Sequence, residues 1–443
     1  MVKARGVGPS HGLTKNRCRS NQRLHRMKVL VISAAYPPMH AGEATNTYHL
    51  CQRLVDRGVE VHVLTSVGNR GTNNGRIHVY PIMREWGWAE LLRVRSFIRS
   101  CEVDAFFLMY IGLMYKFHPM VTFLPTLCKR LFRDIPFVTR YESAFVGADP
   151  SKTSIPARVF RKLMVRWAGP AGVAYSSGTL LRDSDAVIAL CERHRAMLTE
   201  EWPAAEQKVV LIPPPPNLLI ASNEGGGARA RGRQRLGLTG QEFVVTFFGY
   251  LYPIKGIETL LRAFAIVAEK YSHARLLFVG GKVDLAVEGA GSYFDEMQRL
   301  HRTLGLESKT IWTGAFKSEE EEASLYLHAS DVSVLPFLEG VQLNNSSFAS
   351  LIAHGLPVIV TRGPMMDGAF VHGENVLTCA PRDHEGLAEL LLQVMNDGDL
   401  RTRLQTGALK FAQEWFSWES AVEKTIALMR SSKEVVKAHK HYI

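Results

Sequence analysis

One segment, from Asp331 to Thr361, limits the fold of this chain more than any other part of the sequence. It starts with a short apolar run, Asp331–Leu335, which is typical of a buried strand. Pro336 ends that strand, because proline has no N–H with which to continue a hydrogen-bonded ladder. The segment closes on a second apolar run, Leu356–Thr361. Two buried strands with room for a helix between them predict an α/β fold built on a parallel sheet.

The crossover between these two strands has the composition of a ligand site. The sequence SFASLIAHG predicts a helix, with Ser346 or Ser347 as its N-cap and Gly355 just after its last turn. In parallel sheets, ligands bind beyond the carboxyl ends of the strands, where a helix N-terminus offers free N–H groups to an anion. Glu339 and the loop amides can hydrogen-bond hydroxyl groups. A nucleotide sugar fits this pattern, and a polar loop without a ligand stays an open alternative.

The length of the chain indicates two domains. Its 443 residues exceed what one hydrophobic core usually holds, and 46% of them are apolar, enough to fill two cores. Four prolines at 213–216 and three glycines at 225–227 interrupt the alternation of strands and helices, as a domain boundary does. The predicted segments are a basic tail or misplaced start, two Rossmann-like domains and a closing helix: 1–26, 27–220, 221–410 and 411–430.

The net charge of +11 is concentrated at the N-terminus. Residues 1–26 contain seven lysines and arginines, no acidic residue, and no apolar stretch of the kind a secretory signal has. Met27 directly precedes the first predicted strand, so we expect either a disordered tail or a start at Met27. A basic arm that binds nucleic acid or anionic lipid stays an alternative for this segment. The rest of the sequence indicates no nucleic-acid partner.

Apolar runs and cysteines indicate the compartment. The most apolar patch, residues 105–115, is too short to cross a membrane and is followed by Lys116 and His118. The cysteines show no CxxC motif and no pairing with histidine, so we expect free thiols in a reducing, cytoplasmic environment and no metal site. The six cysteines are Cys18, Cys51, Cys101, Cys128, Cys191 and Cys379.

A basic amphipathic segment, Pro156–Trp167, can be interpreted in two ways. On a helix its apolar residues can share one face, with basic residues alongside. Such a helix can lie on an anionic bilayer, here the inner face of the cell membrane, or it can be an ordinary surface helix with its apolar face in the core. The apolar residues are Val159, Phe160, Leu163, Met164 and Trp167, and the basic ones are Arg158, Arg161, Lys162 and Arg166.

Glycines that follow predicted strands let a phosphate approach the backbone. Gly249 ends one strand, and Lys255 stands six residues later, just before a helix, where it can neutralise a diphosphate. Gly281 and Lys282 form a weaker pair of the same kind. No GxxxxGK[ST] motif is present, so this is not a Walker loop, and a tight turn with a solvated lysine stays an alternative.

Taken in order, several motifs resemble those of the retaining glycosyltransferases of family 4, which have the GT-B fold. They are MKVLVISAAYPP, LVDRGVEVHVLT, SDAVIALCERHR, FFGYLYPIKGIETLLRAF, ASDVSVLPFLEG with AHGLPVIVT, and FSWESAVEKTIALM. The resemblance covers about residues 27–430.

The resemblance implies two Rossmann-like, doubly wound domains that face a cleft. The first would bind the acceptor, the second would bind the nucleotide-diphospho-sugar, and the closing helix would cross back to the first. Lys255 and Glu339 would act in catalysis, without a metal or a cofactor other than the donor. The residues expected at the donor site are Gly42, Gly249, Lys255, Gly281, Lys282, Thr313, Gly314, Glu339, Gln342, Leu343, Asn344, Asn345, Ser346 and Ser347.

The chain also departs from the family pattern. The family usually has a second glutamate after seven intervening residues, but Ser347 stands there when Glu339 is taken as the first. When Gly355 sets the register, the two positions hold Gln342 and Ser350. Tyr250 replaces a usual arginine. Because such residues read the sugar and the ribose, the donor stays open.

A usual histidine after an N-terminal-domain strand is also absent, and Tyr141 and Glu142 stand in its place. Three functions therefore follow as hypotheses. The first is retaining transfer of a sugar to a polysaccharide or lipid-linked glycan. The second is a catalytically silent partner in a glycan-assembly complex. The third is a sugar-nucleotide epimerase, for which only Glu142 and Glu339 offer cleft carboxylates.

Overall fold

The structure is a computed structural model, and it describes residues 26–39, 41–69, 75–142, 155–174, 177–281, 290–318 and 320–440. The predicted tail, except Arg26, and Lys282 lie outside the described residues. Two sheets form the framework. The strands of the first sheet are β1 Lys28–Ile32, β2 Glu60–Ser66, β3 Ile77–Met83, β4 Ala105–Tyr110, β5 Phe137–Tyr141, β6 Ala186–Ala189 and β7 Val209–Leu211. Those of the second are β8 Phe243–Phe248, β9 Ala274–Val279, β10 Thr310–Trp312, β11 Val332–Leu335, β12 Val358–Thr361 and β13 Leu377–Cys379.

Helices cover both faces of these sheets. Those that accompany the first sheet are α1 Gly42–Asp56, α2 Leu91–Ser100, α3 Leu124–Leu131, α4 Ile155–Ala168, α5 Leu180–Asp183 and α6 Glu192–Glu201. Those that follow are α7 Gly227–Arg235, α8 Ile257–Lys270, α9 Ala290–Thr303, α10 Glu322–Ala329, α11 Ser346–Ala353, α12 His384–Asn396, α13 Gly398–Trp415 and α14 Trp418–Lys440. Because both sheet faces are covered, the strands are near-continuous apolar runs, as in β1.

Both sheets are parallel and doubly wound. The first has the order β3-β2-β1-β4-β5-β6-β7 and the second the order β10-β9-β8-β11-β12-β13. In each, the chain leaves the centre in one direction and later returns to extend the sheet in the other. The resulting switch points lie between β1 and β4 and between β8 and β11, and they are where such sheets bind ligands. The predicted α/β class with two Rossmann-like sheets is confirmed.

The last helix, α14, packs on the first sheet although it follows the second in the chain. Val422, Ile426 and Met429 are buried in the same core as Leu50 and Leu54 of α1. Arg57, the C-cap of α1, also pairs with Glu419, at 2.7 Å, and with Glu423. The helix continues to Lys440, past the predicted end near 430. The exact domain limits stay a prediction.

Two sequence predictions concern membranes and thiols. Within the described ranges, no helix has the length and apolar composition needed to cross a membrane. Cys51, Cys101, Cys128, Cys191 and Cys379 are free thiols, and Cys18 lies outside the described residues.

Candidate functional site

The loops after β8 and β11 meet at the switch point of the second sheet. Gly249, directly after β8, has φ +130°, and a Cβ there would lie 3.0 Å from the Ser347 hydroxyl oxygen. Gly280, after β9, packs so closely that a Cβ would lie 2.2 Å from the Gly249 carbonyl oxygen. Glycine is therefore required at both positions. The predicted phosphate-approach glycine and the start of α11 are brought together.

The N-cap of α11 is Asn345, so the prediction of Ser346 or Ser347 was wrong. The Asn345 side-chain oxygen accepts a hydrogen bond from the Phe348 N–H at 2.8 Å. Asparagine caps a helix as well as serine does. The two serines in this segment therefore could not show which residue is the N-cap. The N–H groups of Ser346 and Ser347 donate to no group in the described ranges. Two half-buried donors with the helix dipole behind them therefore face the switch point.

Lys255 is buried in the turn before α8. A Cβ at the next residue, Gly256 (φ +64°), would lie 2.0 Å from the Pro336 carbonyl oxygen, so this turn is tied to the loop after β11. The ammonium lies 3.7 Å from the Phe337 ring centroid and 5.0 Å from that of Tyr252. It forms no ion pair with any residue that the structure describes. Burial lowers the pKa of Lys255 to about 7.

Glu339 and Gln342 differ in how available they are to a ligand. The Glu339 side chain is 67% exposed, and its carboxylate lies 3.6 Å from the Arg193 guanidinium on α6. Gln342 is buried; its amide donates to the Met365 carbonyl oxygen at 3.2 Å and accepts from the Cys191 thiol at 3.5 Å. Glu339 can therefore hydrogen-bond a ligand, whereas Gln342 is already engaged in protein contacts.

Other predicted donor residues support the loops. The Leu343 N–H donates to Asp367 at 2.9 Å, and the Asn344 amide lies 3.4 Å from the His194 ring. The Thr313 hydroxyl donates to the Phe278 carbonyl oxygen at 3.3 Å. Gly314, with φ +77°, forms an isolated bridge with Gly280, and the Gly281 carbonyl oxygen accepts from the Leu251 N–H at 3.1 Å. These residues position the site more than they present free groups to it.

Residues that follow strands of the first sheet form the opposite side of the candidate site. Gly42 begins α1, and its carbonyl oxygen accepts from the Asn217 amide at 3.1 Å. Glu43 follows it, and burial raises the pKa of its carboxyl. Burial likewise raises the pKa of Glu142 at the end of β5; Arg140, 2.8 Å away, opposes the shift, and the charge of Glu43 adds to it. Sequence reasoning named Glu142 but missed Glu43.

Comparison with known proteins decides the family. Residues 41–215 match the family model "Glycosyl transferase 4-like domain", and residues 228–411 match "Glycosyl transferases group 1". The chain belongs to the group 1 glycosyltransferases. The family that the sequence motifs indicated is thereby confirmed.

Curated relatives of this group 1 glycosyltransferase match part of its length. Mannosylfructose-phosphate synthase of Agrobacterium fabrum is 27% identical over 257 residues, which are 56% of this chain and 54% of that protein. D-inositol 3-phosphate glycosyltransferase of Corynebacterium urealyticum is 29% identical over 210 residues, 46% of each. The chain thus spans about half the length of the curated relatives it matches.

Solved structures similar to the group 1 glycosyltransferase cover nearly the whole chain. Sucrose-phosphate synthase from Thermosynechococcus elongatus has a TM-score of 0.64 and 17% identity, over 92% of this chain and 99% of that one. Anabaena HepE in complex with UDP and glucose has a TM-score of 0.64 and 16% identity, over 92% of this chain and 100% of that one. The GT-B fold is confirmed.

One carboxylate of the glycosyltransferase joins both halves of the site, and sequence reasoning missed it. Asp367 is only 3% exposed; one of its oxygens accepts from the Glu192 N–H at 2.7 Å and the other from the Leu343 N–H at 2.9 Å. Burial raises the pKa of this carboxyl. The available signal was a single acid between Gly363 and Gly368 after β12, too weak to indicate its two partners.

Proposed function

We propose that this protein is a retaining glycosyltransferase that moves a sugar from a nucleotide-diphospho-sugar to a polysaccharide or lipid-linked glycan. The observation that carries the proposal is the convergence of Gly249, Lys255 and the N–H groups of Ser346 and Ser347 at one switch point. A backbone without Cβ, a cation that has no ion-pair partner in the described ranges, and two amides suit a diphosphate. The similar HepE structure contains UDP and glucose.

The reaction breaks the bond between the anomeric carbon and the β-phosphate oxygen and forms a bond from that carbon to an acceptor hydroxyl oxygen on the same face. The proton of that hydroxyl passes to the departing phosphate oxygen. Negative charge grows on the leaving diphosphate. Lys255 in its protonated form and the α11 amides are placed in advance to stabilise that charge. Glu339, which is exposed, is positioned to accept hydrogen bonds from donor hydroxyls.

The departures from the family pattern leave the donor sugar and base open. Neither candidate for the second glutamate replaces it: the Ser350 hydroxyl donates to the Ser346 carbonyl oxygen at 2.8 Å, and Ser347 packs against Gly249. The proposal therefore names the donor by its diphosphate chemistry alone.

Thermal stabilisation by UDP, GDP, ADP and CMP tests the proposal, on wild type, on Lys255→Ala and on the exposed control Lys270→Ala. A ligand that binds the folded state raises the melting temperature by mass action. We expect one nucleoside diphosphate to stabilise wild type and Lys270→Ala but not Lys255→Ala. No stabilisation by any nucleotide would overturn the donor site and favour a silent partner protein.

We further propose that α4 rests on the anionic inner face of the cell membrane, where a lipid-linked acceptor would be. Ile155, Val159 and Leu163 recur every four residues and are 69%, 53% and 58% exposed. Exposed Arg158, Lys162 and Arg166 flank them on the same helix. An apolar ridge beside a row of cations suits an anionic bilayer.

The prediction of one shared apolar face on this helix was wrong in detail. Met164 is buried and Trp167 packs toward the core, with the Arg130 guanidinium 4.4 Å from its ring centroid, whereas Val159 and Leu163 point outward. The helix therefore has an inner and an outer apolar stripe.

Vesicle sedimentation tests the membrane proposal. We expect wild type to sediment with phosphatidylglycerol-containing vesicles and not with pure phosphatidylcholine. Val159→Ser combined with Leu163→Ser should abolish sedimentation, and Leu409→Ser, at an exposed leucine of α13, should not. Equal behaviour of the two variants would refute the assignment of α4.

A further inference from the structure

The edge strand β3 and its neighbour β2 gather metal-binding side chains that lie far apart in sequence. His62 and His78 are register partners in the parallel pair, and Glu60 lies two residues before His62, on the same face of the sheet. One ligating atom from each of the three lies within 4.8 Å of the other two. We propose that Glu60, His62 and His78 bind a zinc ion. The proposal does not depend on sugar transfer.

The contacts of His62 suit this role. Its Nε2 lies 3.2 Å from a Glu60 oxygen, and two ligands about 2.1 Å from one tetrahedral zinc ion are separated by about 3.4 Å. Its Nδ1 lies 3.1 Å from the Tyr80 hydroxyl. If Nδ1–H donates to Tyr80, the Nε2 lone pair faces the carboxylate, an arrangement that a cation between them stabilises. Outer hydrogen bonds of this kind orient histidine ligands in metal sites.

The surroundings leave room for the ion. A cavity of about 350 Å³ adjoins His62 and Tyr80 and is also lined by Phe97 and Cys101. A water molecule can complete the tetrahedron from that side. The His62 and His78 rings stack with centroids 4.9 Å apart, so the His78 ring must rotate before both rings present a nitrogen lone pair to one ion.

One group competes with the ion. The Lys28 ammonium lies 3.8 Å from a Glu60 oxygen, and 35% of its side chain is exposed. This loose pair must open when a cation binds, so Lys28 should weaken zinc binding. A variant without Lys28 should therefore bind zinc more tightly. A folding defect cannot produce that result.

The cluster lies apart from the candidate donor site. Glu60 begins β2 and His78 is the second residue of β3, so the cluster lies at the amino ends of the strands. The candidate donor site lies at carboxyl ends. A zinc ion here would fasten the edge strand β3 to the sheet. Sequence spacing predicted no metal site, because only the register brings positions 62 and 78 together.

Calorimetric titration of zinc into metal-stripped, untagged full-length protein tests the proposal. We expect one tight site in wild type, binding weakened about tenfold or more in Glu60→Gln and in His78→Gln, and tighter binding in Lys28→Met. The exposed-histidine variant His273→Ala should match wild type. X-ray absorption of the zinc-loaded protein should show nitrogen and oxygen ligands without sulfur.

The amide substitutions keep the size of each side chain, and melting curves without zinc identify any variant that fails to fold. No tight zinc site in wild type would overturn the proposal. Unchanged affinity in folded Glu60→Gln and His78→Gln, or a sulfur ligand, would overturn it as well.

Discussion

At the residue scale, Lys255 combines burial with an absent counter-charge. Its ammonium has aromatic rings for neighbours and no ion-pair partner among the described residues. A lysine in that position is held partly deprotonated until an anion arrives. Because the protonation of Lys255 changes when an anion binds, the affinity for that anion should depend on pH.

Nucleoside diphosphate affinity should fall as the pH rises above about 7. The ligand-free pKa of Lys255 is about 7, and a bound diphosphate must raise it, so binding takes up a proton above that pH. The decrease should approach about tenfold for each pH unit. Calorimetry from about pH 6 to about pH 9 measures it. Lys255→Met should bind weakly with no such slope, and an equal slope in both proteins would contradict the assignment.

The same lysine should reduce stability. Its folded pKa lies far below the ordinary value of 10.5, so protonation costs folding free energy at every pH below that value, and the full cost applies below about 7. Lys255→Met should therefore raise the melting temperature, by about 2 °C or more at neutral pH, while it removes nucleotide binding. The exposed Lys270→Met is the control, and a lowered melting temperature in Lys255→Met alone would show that the ammonium stabilises the fold.

Single residues differ in how far sequence could predict their roles. Gly249 and Lys255 were predictable, because a glycine at a strand end and a lysine before a helix act through local backbone geometry. Asp367 and Gln342 were not, because their partners, Glu192 and Cys191, lie more than a hundred positions away in sequence. Such contacts depend on how the two sheets are placed, which periodicity does not encode.

At the element scale, α11 is the part of the site whose structure follows most directly from its local sequence. Its cap, its apolar inner face and Gly355 after its end (φ +67°) are all local features, and the helix and its flanking strands were predicted from them. Only the cap residue was wrong. Neighbouring serine and asparagine are equally good caps. Which of them is the N-cap depends on where the loop after β11 places the backbone.

Substitutions at Asn345 should separate helix capping from ligand charge. Asn345→Ala removes the bond to the Phe348 N–H and should destabilise the protein by about 1 kcal/mol. Asn345→Asp keeps the cap and should preserve the melting temperature, but its charge next to the diphosphate should weaken nucleotide affinity by about tenfold. Thermal melts and calorimetry measure the two effects. Equal nucleotide affinity in wild type and Asn345→Asp would place the diphosphate elsewhere.

At the scale of the whole molecule, the two sheets meet through a few polar contacts beside the site. Asn46 of α1 donates to Asn217 at 2.8 Å, Asn344 reaches His194, and Asp367 accepts from both sides. The overall pair of doubly wound sheets was predictable from the alternation of strands and helices. These contacts were not, since each joins residues that only the assembled fold makes neighbours.

Asp367 is the contact that should couple the two halves most strongly. Both of its oxygens accept backbone N–H groups, one from α6 of the first half and one from the loop before α11. In Asp367→Asn one of these acceptors becomes an NH₂ donor that faces an N–H, so one buried hydrogen bond is lost and one N–H is left unsatisfied. The expected destabilisation is about 1–3 kcal/mol. The exposed Asp399→Asn, in the first turn of α13, is the matched control and should change stability little.

If Asp367 holds the two halves together, its substitution should change their arrangement as well as their stability. Small-angle X-ray scattering should show a larger radius of gyration for Asp367→Asn than for wild type or Asp399→Asn. A saturating nucleoside diphosphate should affect wild type and Asp399→Asn alike and Asp367→Asn differently. A purely local defect would lower the melting temperature and leave the scattering unchanged. That result would contradict the coupling role, because losing a contact that joins the two halves should change the distance between them.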